Sequence, residues 1–183
     1  MDTQYVTATG MGLDTYVYYI DGTNDDYFSA MVEDALEYDD PPSVISISYG
    51  ADEYEWGEDY CTRANSGFGK LSLMGTTIFA SSGDDGALGD DSDCLDDYKY
   101  IASFPASATY VTAVGGTLGG NFESSLVNGT TQEIAWADSG GGFSIYFDLP
   151  SYQVDAVTNY LDSDVDMLSV HGTFAITHFF ELF

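Results

Sequence analysis

Basic residues are nearly missing from this chain. Arg63, Lys70 and Lys99 are its only Lys and Arg, three against 31 Asp and Glu in 183 residues, for a formal net charge of -28 at pH 7. Nucleic acid and anionic membrane surfaces are therefore poor partners, because phosphate recognition draws on the side chains that are scarce here. No apolar run approaches the roughly 18 residues of a membrane helix. Met1 is followed by Asp2 rather than by a basic and then apolar leader, so any leader is expected upstream. Cys61 and Cys94 are the only cysteines; two thiols make neither a zinc cluster nor a C-x-x-C redox motif, which leaves one disulfide or two free thiols. There is no G-x-S-x-G elbow. His171 and His178, the only histidines, fall in the tail and read as structural or solvated groups rather than as a catalytic base.

What the chain does have suits a folded domain. With 44% hydrophobic and 15% aromatic residues it can bury one core, and a single domain is expected. The excess of carboxylates strains the compact state by self-repulsion at neutral pH, and that strain falls as they protonate below about pH 5. An acidic or salty compartment is implied. Asn128-Gly129-Thr130 is a glycosylation sequon, consistent with a secreted or vacuolar origin.

Periodicity predicts alternating elements. Residues 1–9 read as a helix stopped by Gly10 and Gly12, 16–20 as a strand and 27–38 as an amphipathic helix; 43–49 read as a second strand and 57–74 as a helix. The apolar run 76–81 reads as a buried parallel strand, 110–116 and 131–137 as further strands, and 150–161 as a helix opened by Pro150. In such βαβ sheets ligands meet the carboxyl ends of the strands, where Gly50 and Asp84 both fall. The acidic run 84–97 lacks the D-x-[DN]-x-[DN]-G calcium template and reads as a solvated loop. Cys61 opens the helix before the 76–81 strand and Cys94 lies in the loop after it, so both return to one rim of the sheet. A bridge between them is expected, closing a loop of roughly 34 residues and worth about 3 to 4 kcal/mol.

The segments GTTIFASSGDDGA (75–87), FPASATYVTAVGGT (104–117), SGGGFS (139–144) and LPSYQVDAVTNYL (149–161) occur in one order. Together they resemble the sedolisins, the serine-carboxyl peptidases. SVISISYG (43–50) is similar to that family's substrate-edge strand and MDTQY (1–5) to the segment carrying its first catalytic carboxylates. The resemblance implies an α/β, subtilisin-like, doubly wound and mostly parallel sheet, incomplete here. Residues 1–162 would form a partial peptidase domain and 163–183 a divergent tail.

In sedolisins a glutamate activates the serine nucleophile, an aspartate four residues on orients that glutamate, and another aspartate donates a hydrogen bond to the oxyanion. A carboxylate base suits acidic pH, where histidine would be charged. By this resemblance Asp84 is the oxyanion aspartate, its carboxyl protonated at low pH or by the push of Asp85, and Asp2 is the orienting aspartate. Ser48, Tyr49 and Gly50 are the backbone edge that a peptide substrate pairs with. The glutamate would stand four residues before Asp2. The serine segment Gly-Thr-Ser-Ala-Ser does not occur; the nearest stretch, 171–183, has Phe174 where serine should be. Phenylalanine offers no nucleophilic atom. The family's calcium site would fall beyond Phe183, so no cofactor or metal is expected in this chain.

The expected function is thus a serine-type peptidase acting on peptides or proteins at acidic pH, inactive as this isolated chain, in an extracellular or lysosomal/vacuolar setting. The alternative is a non-catalytic pseudopeptidase or peptide-binding module. Internal cleavage and tripeptide release are both open, and the sequence leaves the oligomeric state undetermined.

Overall fold

The computed structural model describes residues 2–20, 26–86, 102–118, 126–127, 130–131 and 134–162. Its centre is a parallel sheet of three strands in the order β1 (Val44–Ile47), β3 (Thr77–Ser81), β5 (Thr112–Val114). The register pairs Val44 with Thr77 and Ile47 with Ala80 on one side of β3, and Phe79 with Thr112 and Ser81 with Val114 on the other. Parallel neighbours need a crossover, and between β1 and β3 helix α4 (Glu58–Leu73) supplies it.

Two helices bury their apolar stripes over this sheet. In α2 (Tyr27–Leu36), Phe28, Met31, Val32 and Ala35 recur at helical spacing and are buried. In α4 the buried set is Cys61, Ala64, Phe68 and Leu71. They meet Ile47, Ile78, Ala80, Phe104, Ala108 and Val111 in one core. Full burial of such side chains is worth about 1.5–3 kcal/mol each. Glu58 and Asp59 in the first turn of α4 and Lys70 in the last complement the helix dipole.

A short strand β2 (Ala51–Asp52) pairs antiparallel with β4 (Ser103–Phe104), and α3 (Glu53–Trp56) follows it directly. Beyond β5 come β6 (Thr117–Leu118), β7 (Leu126–Val127), β8 (Thr130–Thr131) and β9 (Ile134–Ala135), in the antiparallel pairs β6–β9 and β7–β8. A 3-10 turn at Ser151–Gln153 leads from Pro150 into α5 (Val154–Leu161). The amino-terminal helix α1 (Asp2–Thr9) buries no residue.

Two expected strands take a different form. Residues 16–20 form no strand: Tyr16, Val17 and Tyr19 are largely exposed, and Ile20 alone of the run packs against the core. Tyr18 turns its hydroxyl to Asp34 on α2. Aromatic and β-branched residues favour strands only where a neighbour pairs the backbone and covers a face. The run 131–137 is divided, with Thr131 in the β7–β8 pair and Ile134–Ala135 in the β6–β9 pair.

Candidate active site

β1 and β3 end side by side, and the chain leaves each through residues that line one cleft of about 350 Å³. Ser48, Tyr49 and Gly50 after β1 and Ser82, Gly83 and Asp84 after β3 line it together with Ser103 and Gly140. The structure thus brings together the expected substrate edge and the expected oxyanion acid, which are more than thirty positions apart in the chain. This is the carboxyl end of the parallel sheet, the usual place for a ligand in such folds.

The turn that carries Asp84 is held on both flanks. Ser82 is tied to β5 by its N–H, which donates to the Val114 carbonyl at 3.0 Å. Gly83 takes φ +108°, a left-handed conformation that side chains rarely adopt, and so turns the chain out of the sheet. Gly140 N donates to Gly83 O at 3.1 Å and Gly86 N donates to Asp138 O at 2.8 Å, so segment 138–140 brackets Asp84 from both sides. Position 140 admits only glycine: a Cβ there would stand 1.7 Å from the Ser82 carbonyl oxygen. Asp84 itself is exposed, as is Asp85, while Asp52 at the same cleft is buried.

Gly50 lines the cleft, but the close approach it allows is made by the chain itself rather than left free for a substrate backbone. A Cβ at Gly50 would lie 2.6 Å from the Phe104 carbonyl oxygen, across the β2–β4 pair. Tyr49 is half-exposed at the rim and stands edge-on to Tyr27 and Trp56, with ring centroids 5.6 and 6.5 Å away. Behind it Trp56 stacks on Tyr60 at 5.1 Å and meets Phe28 at 5.2 Å. One wall of the cleft is therefore backed by a rigid aromatic cluster.

Other expected residues are not drawn in. Asp2 is exposed on α1 and does not line the cleft. Cys61 is a free and fully buried thiol on α4, its Sγ 3.9 Å from the Glu53 carbonyl oxygen. Burial first, and then the Glu53 charge, push its pKa up to about 12. Cys94, Asn128, His171, Phe174 and His178 lie outside the described residues, so the sequon is not placed, and with Cys61 a free thiol the structure does not show the expected bridge to Cys94. Among the described residues no group of three His, Cys, Asp or Glu could hold a metal ion.

Motif reading missed Ser82, Ser103, Asp52 and Glu53. Glu53 is fully buried, and nothing among the acids of ADEYEWGEDY marks it out. Its Oε1 accepts from Ser144 Oγ at 2.6 Å and its Oε2 from Ile145 N at 2.7 Å. The triple glycine at 140–142 was a signal of close backbone approach. A second cavity, of about 300 Å³, shares Ser82, Ser103 and Gly140 with the cleft and reaches Phe147 and Val157.

This mixed α/β fold, with its cleft at the ends of a parallel sheet, matches the sedolisin-like subtilisin fold over part of that domain. Pseudomonas sedolisin, solved with two molecules of pseudo-iodotyrostatin, aligns with a TM-score of 0.50 and 26% identity, covering 70% of this chain and 36% of that one. At the level of sequence the chain is homologous to tripeptidyl-peptidase 1: it is 35% identical over 173 residues to the proteins of Bos taurus and of Homo sapiens. These alignments take in 89% of this chain but only 28% of each relative, so the chain spans under a third of their length. No family model matches it.

Proposed function

We propose that this chain is the part of a serine-carboxyl peptidase that binds the substrate strand and stabilises the oxyanion, working on peptides or proteins at acidic pH. The observation that carries the reading is that Ser48, Tyr49, Gly50 and Asp84 line one cleft. An extended peptide pairs with the backbone of residues 48–50, which sets its scissile carbonyl beside Asp84. The Asp84 carboxyl, protonated at low pH, donates to the oxygen as negative charge develops there.

Homology to tripeptidyl-peptidase 1 and the likeness to sedolisin support peptide cleavage as the chemistry. An extracellular or lysosomal/vacuolar site accords with the charge of -28 and the sequon at Asn128. Among the described residues no helix is long and apolar enough to cross a membrane. A second reading is a peptide-binding module without chemistry, which the same cleft at Ser48, Tyr49 and Gly50 would serve.

The test separates the two. The purified 183-residue chain should cleave neither an unfolded protein nor a tripeptide-releasing reporter between about pH 3 and 7, since groups that act as a unit lose nearly everything when one is removed. Turnover that survives repurification would overturn this. A longer chain that supplies the glutamate and the serine should cleave, and Asp84→Ala should then lower kcat by about 10²–10³. Absence of cleavage from that longer chain, with peptide binding kept, would leave the binding module standing.

A further inference from the structure

Glu53 is a buried charge that the proposed chemistry does not use. It lies wholly inside the protein, at the first position of α3, where its N–H donates to the Ala102 carbonyl at 3.0 Å. Among the described residues no basic group pairs with its carboxylate; Arg63 bridges instead to Asp26, at 3.8 Å. A buried carboxylate without a cation persists only where hydrogen-bond donors satisfy it. Both Glu53 oxygens are so served, from residues more than ninety positions away: Ser144 Oγ at 2.6 Å and Ile145 N at 2.7 Å. With its O–H donating to Glu53, the Ser144 hydroxyl oxygen is left to accept, and it takes Tyr146 N at 3.1 Å and Phe147 N at 2.9 Å. One carboxylate thereby organises four consecutive residues, 144–147.

The same stretch of chain, a few residues earlier, grips the turn that bears Asp84. Asp138 O receives Gly86 N, Gly140 N reaches Gly83 O, and Ser139 Oγ receives Gly116 N at 2.7 Å. Between the two ends lie only Gly141, Gly142 and Phe143. We propose that Glu53 is a positioning residue: by anchoring residues 144–147 it holds the 138–140 segment in place, and this fixes the direction in which Asp84 enters the cleft. The inference rests on Asp84 being the oxyanion acid, but the bracing can be measured without any substrate.

The experiment uses the 183-residue chain and two variants, Glu53→Gln and Ser144→Ala. The amide that Glu53→Gln introduces would set a donor against one of the two donors that Glu53 accepts, whereas Ser144→Ala leaves the carboxylate and removes the hydroxyl that links it to Tyr146 N and Phe147 N. Hydrogen exchange is followed at the Gly86 and Gly140 amides, with Phe68 and Leu71 of α4 as references. Glu53→Gln should speed exchange at Gly86 and Gly140 at least tenfold and leave Phe68 and Leu71 unchanged. Ser144→Ala should act in the same direction, and it decides the matter if Glu53→Gln does not fold. Unchanged exchange at Gly86 and Gly140, or an increase shared equally by Phe68 and Leu71, would overturn the proposal, because Glu53 would then serve the core as a whole. If exchange responds as expected while the longer chain neither cleaves nor binds peptide, the bracing stands and only the reading of the cleft falls.

Discussion

Asp84 and Asp2 both sit in segments that match serine-carboxyl motifs, yet the molecule treats them differently. Asp84 leaves the end of a central strand, and its turn is tied on each flank to residues 138–140. Asp2 opens an eight-residue helix that buries nothing and has no part in the cleft. A helix so short is marginal in water unless one face is packed. A motif places a functional group only when tertiary contacts offset the cost of ordering its backbone, and in this chain they do so for one aspartate and not for the other.

That contrast can be broken from its rigid side first. Phe104 is fully buried, belongs to β4 and joins the core to the aromatic cluster behind Tyr49. Phe104→Ala should cost about 3–5 kcal/mol, read as a lower denaturant midpoint. A loss below about 1 kcal/mol would show that the wall is softer than its packing implies.

Gly140→Ala tests the bracket itself. Its Cβ would meet main-chain atoms, which cannot rotate away, so a destabilisation of about 1–3 kcal/mol is expected, with the largest chemical-shift changes at Gly83 and Gly86. Shifts spread evenly over α4 and β1 would argue against a local brace.

Alkaline pH probes the core beneath the cleft. The Cys61 thiol is pushed up to about 12 from 9.0, and burial first raises the Tyr60 hydroxyl to about 12 from 10.0. In the unfolded chain both groups lose their protons at lower pH than in the fold. The unfolded state therefore holds fewer protons in this interval, and stability falls as pH rises. The melting temperature should drop steadily from about pH 9 to 12, and Cys61→Ala should flatten part of that slope. In the native protein at about pH 8, Cys61 should also resist alkylation, and it should react once denaturant is added. A flat profile would mean that these groups meet water in the fold.

The smallest effect is expected at the loose end. Asp2→Ala should change stability by no more than about 0.5 kcal/mol, measured by denaturant unfolding of the same chain. A cost equal to that of Gly140→Ala would erase the distinction between the two aspartates.

Much of this was legible in the order of residues. The helices at 27–36 and 58–73 and the strand at 77–81 follow from apolar spacing, since a stripe at period 3.6 or a short unbroken run has few other ways to be buried. The place of Asp84 just past a strand end could be read because an apolar run breaking into Ser-Ser-Gly-Asp is a local pattern. The run 16–20 misled for the opposite reason: Tyr and Val favour strands, but whether a neighbour pairs with them is a property of the whole sheet. Glu53 left no trace in the sequence, because its partners are Ser144 and Ile145, far along the chain.

By itself, then, the sequence determined the alternation of helix and strand, the acidic surface and the segments that match serine-carboxyl peptidases, all of which depend on residues near one another or on composition. Only the tertiary structure decided that residues 48–50 and 84 share a cleft, that Gly50 makes room for Phe104 and that a carboxylate at 53 holds the 144–147 loop. Those outcomes require distant segments to meet at hydrogen-bond range, and no local pattern records which of many buried or acidic residues will find such a partner.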